Sequence, residues 1–299
     1  MLGFEPSAVR IHGNLIEVFH KDPGTGIKLY DVKMEGISGQ SPYGLFRTLL
    51  INLLRKHSGF GARVNQDALD GFRGSAAMID YLIRFEEHLN GKLDVKLMRG
   101  NTDAVRSRVR IIQDELFLLA KSCLDKKGSF HLFEAGPGYV RTQMNLIYRL
   151  RQADYDLTNV HIMGADLHPG VVKVAQEIIR YEELTDIIEV HAGHAGDWIK
   201  KLDQKFDVVL AEGVFEYNNM SRSLDLAKTF NQFLNPGGSL IASATHEVPK
   251  KAIVEFLDIL VLSRTESDFI DIYKQSGFND PRLITTSPKN ISVGIGQTI

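Results

Sequence analysis

Residues 131–140 read HLFEAGPGYV. An apolar run ends on Glu134 and breaks into a turn carrying Gly136 and Gly138, and a helical pattern follows. Glycine lets a backbone turn tightly and approach a ligand without a Cβ in the way, and the N-terminus of the next helix presents unpaired N–H groups. The stretch therefore reads as the first strand and ligand-facing turn of a strand–helix alternation.

The alternation continues to the C-terminus. Strands are expected at SFHLFEAG, NVHIMGAD, IIEVHA, FDVVLAEG and GSLIASAT, and helices at roughly 139–154, 169–182, 195–202, 221–234 and 249–262. Such alternation predicts a mainly parallel, doubly wound sheet. The ending differs: ESDFIDIYKQSGF reads as a helix closed by Gly277, followed by PRLITT and ISVGIGQTI joined through SPKN. A turn that short joins only antiparallel neighbours, so at least one final strand should run against the rest.

Upstream, two β-rich runs, AVRIHGNLIEVFH and IKLYDVKM, flank KDPGTG and predict a hairpin. SPYGLFRTLLINLLRKH follows with Ser41 as a cap and Pro at the first helical position, then helical patterns over NQDALDGFRGSAAMIDYLIRFEEHL and DAVRSRVRIIQDELFLLAKSCL. The chain thus divides into residues 1–110, a hairpin-plus-helices cap or dimerisation region, and residues 111–299, the sheet domain. As a cap it would bring Phe46, Phe60 and Tyr81 over a pocket.

The composition narrows the function. A formal net charge of −2 gives no general pull toward nucleic acid or anionic membrane. No stretch reaches the run of about 20 apolar residues that spans a bilayer. Cys123 is the only cysteine, which excludes an internal disulfide and any multi-cysteine metal site and favours a reducing compartment, the cytoplasm by default.

In doubly wound sheets ligands bind where the strands end in their carboxyl termini. A dinucleotide fingerprint G-x-G-x-x-G would need glycine where Arg141 stands, and Glu134 would repel a pyrophosphate. Asp166, followed by Leu167, is placed to accept hydrogen bonds from a ribose diol. After the third strand, Gly193-His194-Ala195-Gly196-Asp197-Trp198 offers small and polar residues beside a base. After the fourth comes AEGVFEY, residues 211–217. There is no convincing Ser-His-Asp, Cys-His or metal-ligand pattern, and His168 and His191 beside Asp166 lack ligand spacing. Arg106, Arg108 and Arg110 read as a solvated helix rather than a phosphate patch, with one of them able to reach the site if the helix caps it.

Taken in order, FEAGPG, GAD, GHA, FDVVLAEG, the LNPGG turn and the reversed C-terminal hairpin resemble the class I S-adenosylmethionine-dependent methyltransferases over about residues 110–299. Two positions depart from that pattern: Val140 stands where a third glycine is common, and His194 where an acid often follows the third strand. The resemblance implies a Rossmann-like seven-stranded sheet with an antiparallel last strand, and S-adenosylmethionine as cofactor with S-adenosylhomocysteine as product. It places Glu134, Gly136 and Gly138 at the methionine end, Asp166 and Leu167 at the ribose, His194 and Ala195 at the adenine, and Glu212 and Gly213 on the floor.

An activated methyl needs an aligned acceptor and a base for its proton. The candidates are Glu216, Tyr217 and His246. AEGVFEYN lacks the Asn/Asp-Pro-Pro-aromatic signature common among enzymes acting on amide or base nitrogens. The expected reaction is therefore methylation of a small molecule at oxygen or nitrogen, with no nucleic-acid, metal or membrane partner and with homodimerisation open. The alternatives are a non-catalytic cofactor-binding scaffold, a protein methyltransferase and, less favoured, an NAD-dependent oxidoreductase.

Overall fold

The computed structural model describes residues 8–12, 15–22, 26–33, 92–246, 262–286 and 290–299. The expected helices between Ser41 and residue 90 and over 249–262, with Phe46, Phe60 and Tyr81, lie outside these residues.

Near the N-terminus, β1 (Ala8–His12), β2 (Leu15–Asp22) and β3 (Gly26–Lys33) form an antiparallel three-stranded sheet. The β2–β3 hairpin closes with Asp22 opposite Gly26, as KDPGTG predicted. The run expected as one strand is two, because His12 pairs with Leu15 and the chain reverses between them.

The main body follows. It comprises α1 (Lys92–Lys127), β4 (Phe130–Ala135), α2 (Arg141–Gln152), β5 (Val160–Asp166), α3 (Pro169–Tyr181), β6 (Ile188–Ala192), α4 (Ala195–Ile199) and β7 (Phe206–Ala211). A short 3-10 turn (Phe215–Tyr217) then leads to α5 (Met220–Gln232), β8 (Leu234–Thr245), α6 (Glu266–Gln275), β9 (Asn279–Thr285) and β10 (Ile291–Gln297). The 110/111 division falls inside the continuous helix α1.

The seven strands are ordered β6-β5-β4-β7-β8-β10-β9. Pairs among β4 to β8 are parallel, and β10 runs antiparallel to both β8 and β9. This is the doubly wound sheet with reversed ending that the sequence predicts. The direction of winding switches between β4 and β7, which opens the crevice at their carboxyl ends.

Alternation along the strands sorts the core into two layers. Leu132, Val208, Leu210 and Ile241 pack with Leu116 of α1, Leu146 of α2 and Val172 of α3. Their neighbours Phe133, Val209, Leu240 and Ala242 pack with Ile199 of α4, Phe230 of α5 and Phe269 of α6. Every residue of β7 is buried, as a strand covered on both faces requires. Each large side chain so buried contributes about 1.5–3 kcal/mol.

At the opposite end of the sheet, Asp207 is 4% exposed and accepts hydrogen bonds from the His131 backbone N–H and from Asn235 Nδ2, and it pairs with Lys127. That cluster ties the end of α1 to β4, β7 and β8. The glycines of ISVGIGQ make room for α6: a Cβ on Gly294 or Gly296 would meet the Tyr273 ring at 2.7 or 2.5 Å. Tyr273 is fully buried and donates its hydroxyl to Gly294 O at 2.7 Å.

Candidate functional site

Three strand ends and one turn form the site. At the end of β4, Gly136 and Gly138 take the positive φ values 69° and 55° that the motif predicts. Val140, the N-cap of α2, also turns left-handed at φ 52° while fully buried, so the third glycine position has the conformation of a glycine and carries local strain. The loop is pinned to β5, since Gly136 N–H donates to Ala165 O at 2.9 Å and Gly138 N–H to Asp166 Oδ2 at 3.3 Å. Gly164 makes the approach feasible: a Cβ there would lie 2.9 Å from Pro137 Cγ.

The first turn of α2 reaches back to two of the acids. Gln143 Nε2 donates to Glu134 Oε2, and Thr142 Oγ1 donates to Glu212 Oε2 at 3.2 Å. Burial, reinforced by the charges of Glu212 and Asp166, pushes the Glu134 carboxyl well above its ordinary value, while the Gln143 hydrogen bond opposes the shift.

Asp166 accepts from the backbone N–H groups of Gly138 and, at 3.0 Å, His168. A carboxylate has about four lone-pair sites, so it can still accept hydrogen bonds from a ligand. Leu167 beside it is 62% exposed. Gly193 N–H donates to Asp166 O at 2.8 Å, which joins the tips of β5 and β6. Gly193 also leaves space for Trp198, whose indole N–H donates to Ala192 O at 2.8 Å and whose ring stacks on His191 at 4.1 Å. His194 is solvent-facing beside Asp197, at 3.8 Å, and Ala195 begins α4. Among the described residues no group of His, Cys, Asp and Glu has the arrangement of a metal site.

Beyond β7 the network becomes denser. Glu216 is 3% exposed and accepts from Ser243 Oγ at 2.8 Å, while Ser243 Oγ accepts from Gly213 N–H at 3.0 Å. Arg108 of α1 is 5% exposed, with Nε 3.3 Å from Glu212 Oε1 and Nη1 3.7 Å from Glu216 Oε1. Of the three arginines read as a solvated helix, Arg108 is thus buried in the site and Arg110 is exposed. Burial pushes the Glu216 carboxyl above its ordinary value, and Arg108 and the Ser243 hydrogen bond partly offset this. Tyr217 exposes 41% of its surface, yet the protein packed around its hydroxyl and the neighbouring Glu216 charge push its pKa up to about 12.

His246 is tied on both ring nitrogens, with Nδ1 2.7 Å from Arg264 O and Nε2 2.6 Å from Ser292 Oγ. A carbonyl only accepts, so Nδ1 donates to Arg264 O, and Nε2 shares a hydrogen bond with the Ser292 hydroxyl. Both nitrogens of this strand-end histidine serve the fold. Arg264 likewise spans the turn, donating from Nη2 to Phe215 O at 2.8 Å, to Ser223 Oγ at 2.7 Å and to Asn218 O.

The structure brings Glu134, Gly136, Gly138, Asp166, Glu212 and Gly213 together around the crevice, with Glu216 and Tyr217 on its β7 side. Sequence reasoning missed Thr142, Gln143, Ser243 and Arg264. Thr142 and Gln143 follow directly on the glycine turn, which is the signal that could have found them.

Residues 142–275 match the model of a family described as a methyltransferase domain. No curated protein sequence matches the chain. Among solved structures, a possible exported protein from Bordetella parapertussis superposes with a TM-score of 0.65 at 16% identity, over 85% of this chain and 88% of its own. The magnesium protoporphyrin IX methyltransferase of Synechocystis PCC 6803, solved with bound S-adenosylmethionine, gives a TM-score of 0.47 at 14% identity, over 73% of this chain and 97% of its own.

Proposed function

We infer from the methyltransferase domain of residues 142–275 and its doubly wound sheet that this chain is a methyltransferase of the class I S-adenosylmethionine-dependent superfamily. We propose that it methylates a small-molecule acceptor at oxygen or nitrogen.

One observation carries the cofactor reading. Glu134 and Asp166, both buried, flank a glycine loop with positive φ at the point where the winding of the sheet reverses. The residues present suit a nucleoside with a cationic amino-acid end. Asp166 keeps lone pairs for a diol, and Glu134 supplies a carboxylate for an ammonium group. Above Gly213 lies the guanidinium of Arg108, which a Cβ there would touch at 3.9 Å from Nη1. Leu167 offers an exposed apolar surface beside Asp166, and His194 and Ala195 lie at the tip of the neighbouring strand.

S-adenosylmethionine, when bound, supplies a methyl group already activated on a sulfonium. The chain's own residues have to align the acceptor, exclude water and take a proton where the acceptor carries one. Glu216 is the proposed proton acceptor. Tyr217, a neutral phenol at physiological pH, is the proposed hydrogen-bond donor, and His246 supports the loop that carries them. The N-terminal region is the proposed cover of the acceptor side, and the cytoplasm the proposed location, fitting the free thiol of Cys123. Among the described residues no helix is long and apolar enough to cross a membrane.

Calorimetric titration with S-adenosylmethionine, S-adenosylhomocysteine and NADH, repeated on Asp166→Ala, tests the reading. Saturable binding of both adenosyl ligands, lost in the variant, is the expected result. Binding of NADH alone would overturn it.

A further inference from the structure

Four carboxylates surround the crevice: Glu134, Asp166 and Glu216 are at most 8% exposed, and the Glu212 side chain is 12% exposed. Against them stands the guanidinium of Arg108, buried and carried by a helix that precedes the sheet. It lies within 3.3 Å of Glu212 and 3.7 Å of Glu216. Its Nε makes no hydrogen bond, so the contact with Glu212 is one of charge rather than of hydrogen-bond geometry. The same guanidinium packs over Gly213, where its two terminal nitrogens would be the nearest atoms to an added Cβ, at 3.9 and 4.0 Å. The second buried arginine nearby, Arg264, has Nη2 committed to Phe215 O, Asn218 O and Ser223 Oγ.

Buried carboxylates without this counter-charge would hold a cationic ligand strongly, and holding the reactant more tightly than the transition state slows the chemical step. Methyl transfer removes a positive charge from sulfur: the S–CH3 bond breaks with its electron pair staying on sulfur, while a lone pair of the acceptor forms the new bond. A fixed positive charge beside the site therefore disfavours the reactant relative to the transition state and product.

We propose that Arg108 is a positioning residue that acts by charge, setting how strongly the site prefers S-adenosylmethionine over S-adenosylhomocysteine; this rests on the cofactor reading above. The two ligands differ by one unit of charge at sulfur, so the ratio of their dissociation constants reads the local field. A loss of fold or of packing weakens both ligands and leaves the ratio alone.

The experiment is calorimetry with both ligands at mildly alkaline pH, which favours the ionised form of Glu216, on the full chain and on Arg108→Met, Arg108→Lys, Glu216→Gln and the double variant Arg108→Met/Glu216→Gln. Removing the guanidinium should shift the preference toward S-adenosylmethionine by roughly tenfold, the size of effect that one charge on the order of 12 Å away produces at an effective permittivity near 20. Arg108→Lys should keep the wild-type ratio. Glu216→Gln should shift it the opposite way, and the double variant should restore it. If Arg108→Met does not fold, the last two variants carry the test. A ratio that stays constant across every variant overturns the proposal and leaves Arg108 as an anchor for α1. A wild-type chain that binds neither ligand overturns the cofactor reading itself, and this inference with it.

Discussion

Gly164→Ala is the sharpest test of how the cofactor loop is supported. Gly164 lies in β5, beneath the turn that follows β4, and a Cβ built on it would sit 2.9 Å from Pro137 Cγ, 3.3 Å from Pro137 Cβ and 3.3 Å from Glu134 O. Carbon atoms attract best at about 3.5–4.0 Å, so the proline ring would have to retreat by roughly 0.6–1 Å. Pro137 is rigid and sits between two glycines at positive φ, so the displacement would pass to Gly136 and Gly138 and loosen the 3.3 Å hydrogen bond from Gly138 to Asp166. Overpacking of this kind costs about 1–3 kcal/mol, which in a domain of this size lowers Tm by roughly 2–12 °C. A shift approaching 1 Å at a binding loop should weaken S-adenosylmethionine by on the order of tenfold or more. Thermal unfolding and calorimetry measure the two effects on one sample. Gly170→Ala is the control, because its Cβ meets nothing within 4 Å and it begins a helix where alanine is favoured. Wild-type Tm and affinity in Gly164→Ala would refute the account of the loop.

Further outcomes are expected at three places in the structure. Glu134 holds its proton above the ordinary 4.5 and must lose it to bind an ammonium group, so S-adenosylmethionine affinity should rise with pH from there until Glu134 is fully ionised, and calorimetry on Glu134→Gln should find that rise gone. The same raised value makes the stability associated with neutral Glu134 complete below 4.5 and lost as pH climbs through the folded-state value, so Glu134→Gln should unfold at higher denaturant than the parent at neutral pH. His246→Ala leaves Arg264 O without its partner and Ser292 Oγ with Thr285 Oγ1 alone, and should cost about 1–3 kcal/mol in denaturant unfolding; loss of a limb from the pH–rate profile with stability intact would instead make it the base. Tyr273→Phe removes the 2.7 Å hydrogen bond to Gly294 O and should cost about 1 kcal/mol, whereas Gly294→Ala should cost more, because its Cβ falls 2.7 Å from the Tyr273 ring.

The sheet was legible because its physics is local. Strands covered on both faces read as continuous apolar runs, and FDVVLA is buried at every position. The reversed ending followed from a short connection, which can join only antiparallel neighbours. The N-terminal region was less readable: AVRIHGNLIEVFH keeps its β-rich composition across two antiparallel strands, and composition alone does not register the boundary between them unless the Gly-Asn pair in the sequence is weighed as a breaker.

Within the site, legibility followed backbone geometry. Gly136, Gly138 and Asp166 were found because a strand end and a turn fix their positions whatever surrounds them. Arg108 could not be singled out among the three arginines because its environment is set by residues more than a hundred positions away. Arg106, Arg108 and Arg110 look alike along the chain, and only the docking of α1 decides which of them meets Glu212 and Glu216. His246 shows the converse. Its position at the end of β8 suits a base, but what a histidine can do depends on its partners, and a carbonyl on one side with a hydroxyl on the other commits both nitrogens. Glu216 is therefore the proposed proton acceptor, and Arg108, the guanidinium that pairs with Glu212 and Glu216, is the group whose removal should change the ligand preference.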